Sequence, residues 1–152
     1  MTAHDTVDIP FMNQTRAMPL VRLKHLETGR SVWVMNVHNA PQGRQSERDR
    51  AVDLEIDRLS EIVGKGRPVL LVGDFNERGR VFCEVTRRLG MVAPRGGSTE
   101  NGRCDPPSRG KVRVDWIFGT KDASYSRYRE DRSPLVKRVT DHAVLRTRVS
   151  VP

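Results

Sequence analysis

Four short stretches of this chain carry side chains that could do chemistry together. Asn36 and His38 close one apolar run, and Asp74 and Asn76 close another. Asp115 sits inside a third, and Asp141 and His142 open a fourth. Two histidines and three aspartates are the residue types of metal-assisted attack on phosphorus or on a carbonyl, because imidazole moves protons near neutral pH and carboxylates hold cations or orient the imidazole. The spacing does not suit zinc: there is no His-x-x-x-His and no Cys-x-x-Cys. Oxygen donors with few thiols favour Mg²⁺ or Mn²⁺. Each stretch alone also has a plainer reading. A lone His near a strand end is commonly a structural hydrogen-bonder, and Gly73-Asp74-Phe75-Asn76 could be an ordinary turn.

What decides between these readings is whether the elements bring the four stretches to one place. Pro68 to Val72 is an unbroken apolar run between Gly66 and Gly73, the pattern of a strand buried on both faces. Asp74 and Asn76 are two apart, so both point to one side if the chain stays extended. Met18 to His25 and Arg30 to His38 read as strands joined by a hairpin at Glu27-Thr28-Gly29. A helix follows the loop from Asn39 to Gly43, with Ser46 and Asp49 in the pattern of a capping box. It runs to about Val63, with Val52, Ile56, Leu59 and Val63 as its buried stripe and charged residues on its outer face. Strand, helix, strand is a βαβ unit and predicts parallel strands. His38 and Asp74 then share one edge of the sheet. A second helix spans about Arg80 to Leu89, with Val81, Val85 and Leu89 inward. Val92 to Gly110 reads as a long loop, Lys111 to Phe118 as a strand and Ala143 to Val151 as the last strand. Residues 1–16 show no clear periodicity; Lys121 to Arg132 reads as polar and irregular, and Leu135 to Arg138 as a short strand.

The 152 residues suit one domain, and no apolar run is long enough to cross a membrane. Met1 to Pro10 is polar and does not read as a signal peptide. The net charge of +8 favours phosphate-bearing partners, nucleic acid among them, although the basic residues are spread along the chain. A bridge between Cys83 and Cys104 would close a loop of about 20 residues, add about 3 kcal/mol and imply a secreted protein. Without it the thiols suit the cytoplasm.

At Asn36-Val37-His38, Gly73-Asp74-Phe75-Asn76, Val114-Asp115-Trp116-Ile117-Phe118 and Thr140-Asp141-His142 the chain resembles the endonuclease/exonuclease/phosphatase superfamily, in that family's order. The resemblance implies an α/β, DNase I-like sandwich with a mixed sheet and helices on one face. His142 looks like the essential histidine at the scissile phosphate, with Asp115 holding its tautomer. Asp141 looks like a ligand of a divalent metal, Mg²⁺ or Mn²⁺. Asp74 and Asn76 would position the attacking water and a phosphate oxygen, or hold a second metal. His38 is similar to the family's other histidine, for leaving-group protonation or phosphate contact; Asn36 is a candidate phosphate contact and Glu77 a weaker candidate. The family's early Glu metal ligand has no counterpart before Asn36. The resemblance therefore implies a single partial domain over residues 1–152, about half of the usual four-layer domain, lacking the amino-terminal half.

Three expectations follow. The chain is a divalent-metal-dependent phosphoric ester hydrolase, nuclease-like or phosphatase, with an incomplete metal site. Alternatively it is a non-catalytic, phosphate-partner-binding or dimerising remnant of the same fold, with a second copy or the missing half covering an exposed sheet face. A third reading is an unrelated domain built on a βαβ unit.

Overall fold

The computed structural model describes residues 1–107 and 114–152. Its centre is a five-stranded mixed sheet. The strands are β1 (Ala3–Phe11), β2 (Gln14–Lys24), β3 (Ser31–His38), β4 (Val69–Asp74) and β7 (Asp115–Gly119), in the order β1-β2-β3-β4-β7. β3 and β4 run parallel, joined through α1 (Gln45–Ser60); every other neighbouring pair in this sheet is antiparallel. Helix α2 (Gly79–Leu89) follows β4. Between α2 and β7 lies a small hairpin, β5 (Ser98–Glu100) with β6 (Arg103–Asp105). β8 (Ser124–Asp131) and β9 (Val144–Ser150) form a separate two-stranded ribbon, connected by α3 (Pro134–Val139).

One core holds these elements together. Along the central strands every second side chain faces the helices: Val7 and Ile9, Met18 and Leu20, Met35 and Val37, Val69 and Leu71, Trp116 and Phe118. Ala51, Val52, Ile56 and Leu59 of α1 meet this layer, as do Val81, Phe82, Val85 and Leu89 of α2. Both helices therefore sit on one face of the sheet, as predicted. The other face carries Val21, Val32, Val34, Leu70, Val72 and Ile117, each partly exposed. Over Val72 and Ile117 it is approached by Ala143, just before β9, and by Leu145 of β9, which line a shared cleft with Asp74 and Asp115.

Several elements differ from the sequence reading. Residues 3–11 form a full strand paired along its length with β2. Only Val7 and Ile9 are deeply buried there, too few to show a period among charged neighbours. Met12 and Asn13 both have positive φ, 52° and 63°, the signature of a two-residue turn whose twist matches its strands. Glu47 of α1 accepts hydrogen bonds from both of their backbone N–H groups, at 2.6 and 3.4 Å. The capping box at Ser46 does not form: α1 starts two residues earlier with Arg44 as its cap, and no side chain caps it. The helix ends at Ser60, short of Val63. Residues 124–131 form β8 rather than irregular chain, with a register shift between Ser126 and Arg129. Residues 134–139 are helical, not a strand: Ser133 accepts from the Val136 N–H and Pro134 fills the first turn. Lys111 to Arg113, predicted as the start of a strand, lie outside the described residues.

Cys83 of α2 and Cys104 of β6 are bonded to each other, with Cα atoms 5.7 Å apart. The bond fastens the small hairpin to α2, and both cysteines pack against the core.

Candidate active site

Strand register brings the polar residues of the sequence together. His38, the last residue of β3, pairs with Asp74, the last residue of β4. β7 runs antiparallel to β4, so its first residue, Asp115, pairs with Asp74. Two strand ends and one strand start thus share one edge of the sheet.

The local fold at Asp74 depends on its neighbours. Gly73 has φ 135°, and a Cβ there would overlap the Val37 carbonyl, so only glycine lets β4 lie this close to β3. Phe75 is fully buried, packs edge-on against Phe118 and donates its N–H to the Val114 carbonyl at 2.9 Å. With Phe75 anchored in the core, Asp74 and Asn76 flank it on the site side. The Asn76 N–H donates to Asp74 Oδ1 at 2.8 Å, and the Asn76 carboxamide nitrogen donates to the Asn39 carbonyl at 2.9 Å. Asn39 in turn donates its N–H to the Asp74 carbonyl at 2.8 Å. Asn76 adopts a left-handed φ of 48°, a conformation Asn tolerates better than most residues.

His142 lies between α3 and β9, its N–H donating to Thr140 Oγ1 at 3.1 Å. Its Nδ1 meets both carboxylate oxygens of Asp115, at 3.0 and 2.9 Å. That contact fixes Nδ1 as the protonated nitrogen and turns Nε2 outward. Asp115 holds the imidazole above its usual proton affinity, partly offset by burial. Burial, reinforced by the charge of Asp115, raises Asp74 above the usual carboxylate range, while the hydrogen bond from Asn76 pulls the other way. A partly buried carboxylate of raised proton affinity stands here beside a carboxylate–imidazole pair, an arrangement suited to orienting and deprotonating a water.

The remaining predicted residues lie further out. His38 Nε2 stands 3.7 Å from Asp74 Oδ2, and its side chain is 55% exposed. Arg16 approaches His38 Nδ1 at 3.3 Å and lies over the Phe11 ring at 3.4 Å. Arginine can only donate, so a neutral His38 carries its proton on Nε2, toward Asp74. Asp141 is 97% exposed, with Oδ1 3.9 Å from His142 Nε2. Asn36 is exposed on β3, opposite Val72 in the register, and makes no side-chain hydrogen bond among the described residues. Glu77 turns away from the site, accepting from Gln45 at 3.0 Å beside Arg48.

Two contributors were not read from the sequence, Arg16 and Asn39; Thr140 belonged to the motif Thr140-Asp141-His142 but was given no role there. Asn39 carried a signal, since it directly follows His38. Arg16 carried none, because its strand was not recognised as reaching the site.

Asp74, Asp115 and His142 offer ligand atoms that all lie within 4.8 Å of one another. The donor set fits a divalent cation. Two carboxylates face each other in a partly buried cleft, and Asp74 is pushed toward its neutral form there, a cost that a cation between them would remove. Among the described residues this is the one such group of His, Cys, Asp and Glu.

No protein-family model and no curated protein matches the chain. Solved structures do. The chain is similar to the mannosyl-6-phosphatase Bt3783 of Bacteroides thetaiotaomicron VPI-5482, at 17% identity and TM-score 0.72, over 99% of this chain and 66% of that one. It is similar to the catalytic domain of human Nocturnin, at 17% identity and TM-score 0.64, over 98% of this chain and 59% of that one. It is also similar to an endonuclease/exonuclease/phosphatase from Bacteroides vulgatus, at 16% identity and TM-score 0.72, over 99% of this chain and 66% of that one. The chain thus spans less than two thirds of the length of these structures. With its mixed sheet, its helices on one face and its polar edge at β3, β4 and β7, the chain has the DNase I-like fold of the endonuclease/exonuclease/phosphatase proteins.

Proposed function

We propose that the chain is the catalytic edge of a divalent-metal-dependent phosphoric ester hydrolase. The Asp115–His142 contact at 2.9 Å, set beside Asp74 and Asn76, is the observation that carries this reading. Hydrolysis requires a water oxygen to bond to phosphorus, the ester P–O bond to break, and a proton to reach the departing oxygen. Asp74 and Asn76 orient the attacking water, and His142 accepts its proton at Nε2, the ring nitrogen that Asp115 leaves free. His142 presents Nε2 to the phosphoryl group while Asp115 keeps its tautomer and stabilises its protonated form. His38, with its proton on Nε2, is the donor to the leaving oxygen or a contact to a phosphate oxygen, and Asn36 extends that contact along β3. Asp74, the Asn76 carboxamide oxygen and Asp141 would hold Mg²⁺ or Mn²⁺, with Asp115 adjacent. Such a cation would offset the charge that develops on the phosphoryl oxygens.

The net charge of +8 supports a polyanionic substrate such as nucleic acid. The names of the similar structures, a sugar phosphatase among them, support the broader class of phosphoric esters. The Cys83–Cys104 bond supports a compartment more oxidising than the cytoplasm. A second reading, a phosphate-binding or pairing protein without turnover, is favoured by the partly exposed apolar residues Val21, Val32, Val34 and Leu70. A second copy or a further polypeptide segment would cover them.

Purified chain incubated with Mg²⁺ or Mn²⁺, with EDTA controls, on plasmid DNA and on bis-p-nitrophenyl phosphate tests the enzyme reading. Metal-dependent turnover that His142→Ala abolishes supports it. Turnover no greater than that variant's overturns it in favour of the second reading.

A further inference from the structure

Glu55 lies on the inner face of α1 and is 0% exposed. Charged residues are almost never buried this completely without a charged partner. Among the described residues no such partner is present. Arg48 of α1 donates to the Ala40 and Pro41 carbonyls. Arg58 pairs with Asp5 of β1, and Arg88 of α2 pairs with Asp53 and Asp57. At the sheet edge His38 faces Asp74. The polar partner of Glu55 is Asn39, itself 0% exposed, whose carboxamide nitrogen donates to Glu55 Oε2 at 3.5 Å.

Two buried oxygens are left over in this pair: Glu55 Oε1 and Asn39 Oδ1, neither with a hydrogen-bond partner among the described residues. Both are acceptors if Glu55 is ionised. A proton on Oε1 resolves the conflict, because the acid O–H can then donate to Asn39 Oδ1 while the Asn39 N–H donates back. Burial without a charged partner favours the same state and pushes the Glu55 carboxyl up to about 8.

Asn39 is also the residue that ties the site together. Its N–H holds the Asp74 carbonyl at 2.8 Å, and its carbonyl receives the Asn76 carboxamide at 2.9 Å. We infer that Glu55 is a positioning residue: a buried carboxylic acid, kept protonated, that locks Asn39 by a reciprocal acid–amide pair and through Asn39 sets Asn76 beside Asp74. The inference rests on the reading of Asp74 and Asn76 as part of the active site, but its structural half can be measured without turnover. Ionising Glu55 breaks the pair, so the arrangement at Asn76 loosens as pH rises through the proton affinity of this one group.

The test compares the wild-type chain with Glu55→Gln, which keeps a two-way pair with Asn39 but cannot ionise, and with Glu55→Leu, which removes the pair. The side-chain amide signals of Asn76 are followed by ¹⁵N NMR from about pH 6 to pH 10. The wild type should show a transition near pH 8 that is absent from Glu55→Gln. With metal and bis-p-nitrophenyl phosphate, kcat of the wild type should fall on the same alkaline limb. Glu55→Gln should keep a plateau within about twofold of the wild-type maximum, since both of its hydrogen bonds survive. Glu55→Leu, where it folds, should lose kcat at every pH. A flat Asn76 response in the wild type, or the same transition in Glu55→Gln, overturns the inference. If no variant turns over substrate, the proposed function fails, while the Asn76 titration still decides the role of Glu55.

Discussion

Asp115→Asn separates a catalytic carboxylate from a structural one, because two opposing effects on stability nearly cancel while the effect on rate does not. Asp115 holds the His142 imidazole with both oxygens, at 2.9 and 3.0 Å. A hydrogen bond between charged partners contributes about 1.5–3 kcal/mol, and an amide retains only part of it. Against that loss stands the repulsion between Asp115 and Asp74, whose oxygens lie within 4.8 Å of each other. At an effective dielectric constant near 20, two full charges at that separation would repel by roughly 3 kcal/mol, an upper bound because burial already pushes Asp74 toward its neutral form. The substitution removes this repulsion, so the net change in folding free energy near neutral pH should stay within about 1 kcal/mol. The rate has no such compensation. Losing the tautomer and the stabilised imidazolium should lower kcat/KM by about 10- to 150-fold, the equivalent of the same 1.5–3 kcal/mol. The pH dependence has a defined sign. Asp115 raises the proton affinity of His142 in the folded chain, so this stabilisation is complete below the unfolded His value of about 6.5 and fades as pH rises through the higher folded value. Urea titrations should therefore show Asp115→Asn less stable than wild type near pH 5.5 and equal or more stable near pH 9, both about one titration range from His. His142 ring signals should titrate at lower pH in the variant. A loss above about 2 kcal/mol at both pH values, with activity falling only in proportion to unfolding, would refute the reasoning and make Asp115 a structural residue.

Other positions give simpler expectations. Gly73→Ala forces a Cβ into the Val37 carbonyl at a positive φ, and should cost about 3 kcal/mol or more. Gly64→Ala, with nothing within 4 Å, should cost only about 1 kcal/mol, and equal urea midpoints for the two would remove the close approach of β3 and β4 as the reason for Gly73. Reducing the Cys83–Cys104 bond, 21 residues apart in sequence, should lower stability by about 3 kcal/mol. A denaturation curve that dithiothreitol leaves unmoved would contradict this. Ser133→Ala removes the cap of α3 and should cost about 1 kcal/mol, visible in the same titration, with amide exchange rising at Thr140 and His142.

Most of the site could be read from spacing because it lies on a βαβ unit. Parallel strands put their carboxyl ends at one edge, so His38 opposite Asp74 followed from the order of elements alone. The alternation at Asp74, Phe75 and Asn76 likewise survives as a core-facing aromatic between two site-facing polar groups. Asp115 required a tertiary fact: β7 returns antiparallel beside β4, and no local pattern states which way a strand will run. β1 and β8 escaped for a different reason. Each has one face largely in water, so few apolar residues mark its period, and β8 also carries a register shift. The six residues of α3 are too few for a helical period, although Ser133-Pro134 spelled out its start.

Glu55 is the more instructive omission, because its spacing was visible. Val52, Ile56 and Leu59 define the inner stripe of α1, and position 55 falls on that stripe, one turn from Val52 and Leu59. A sequence reading that assigns charged residues to the outer face by type places Glu55 in water; one that assigns them by position places a carboxyl in the core. Position prevailed, and the carboxyl there meets Asn39, next to His38. Gly73 follows the same logic, a helix-and-strand breaker kept inside a buried strand one residue before Asp74. Residues that break the local rule of their element cost stability where they stand, and both of these act next to Asp74: Gly73 precedes it in β4, and Glu55 reaches its carbonyl through Asn39.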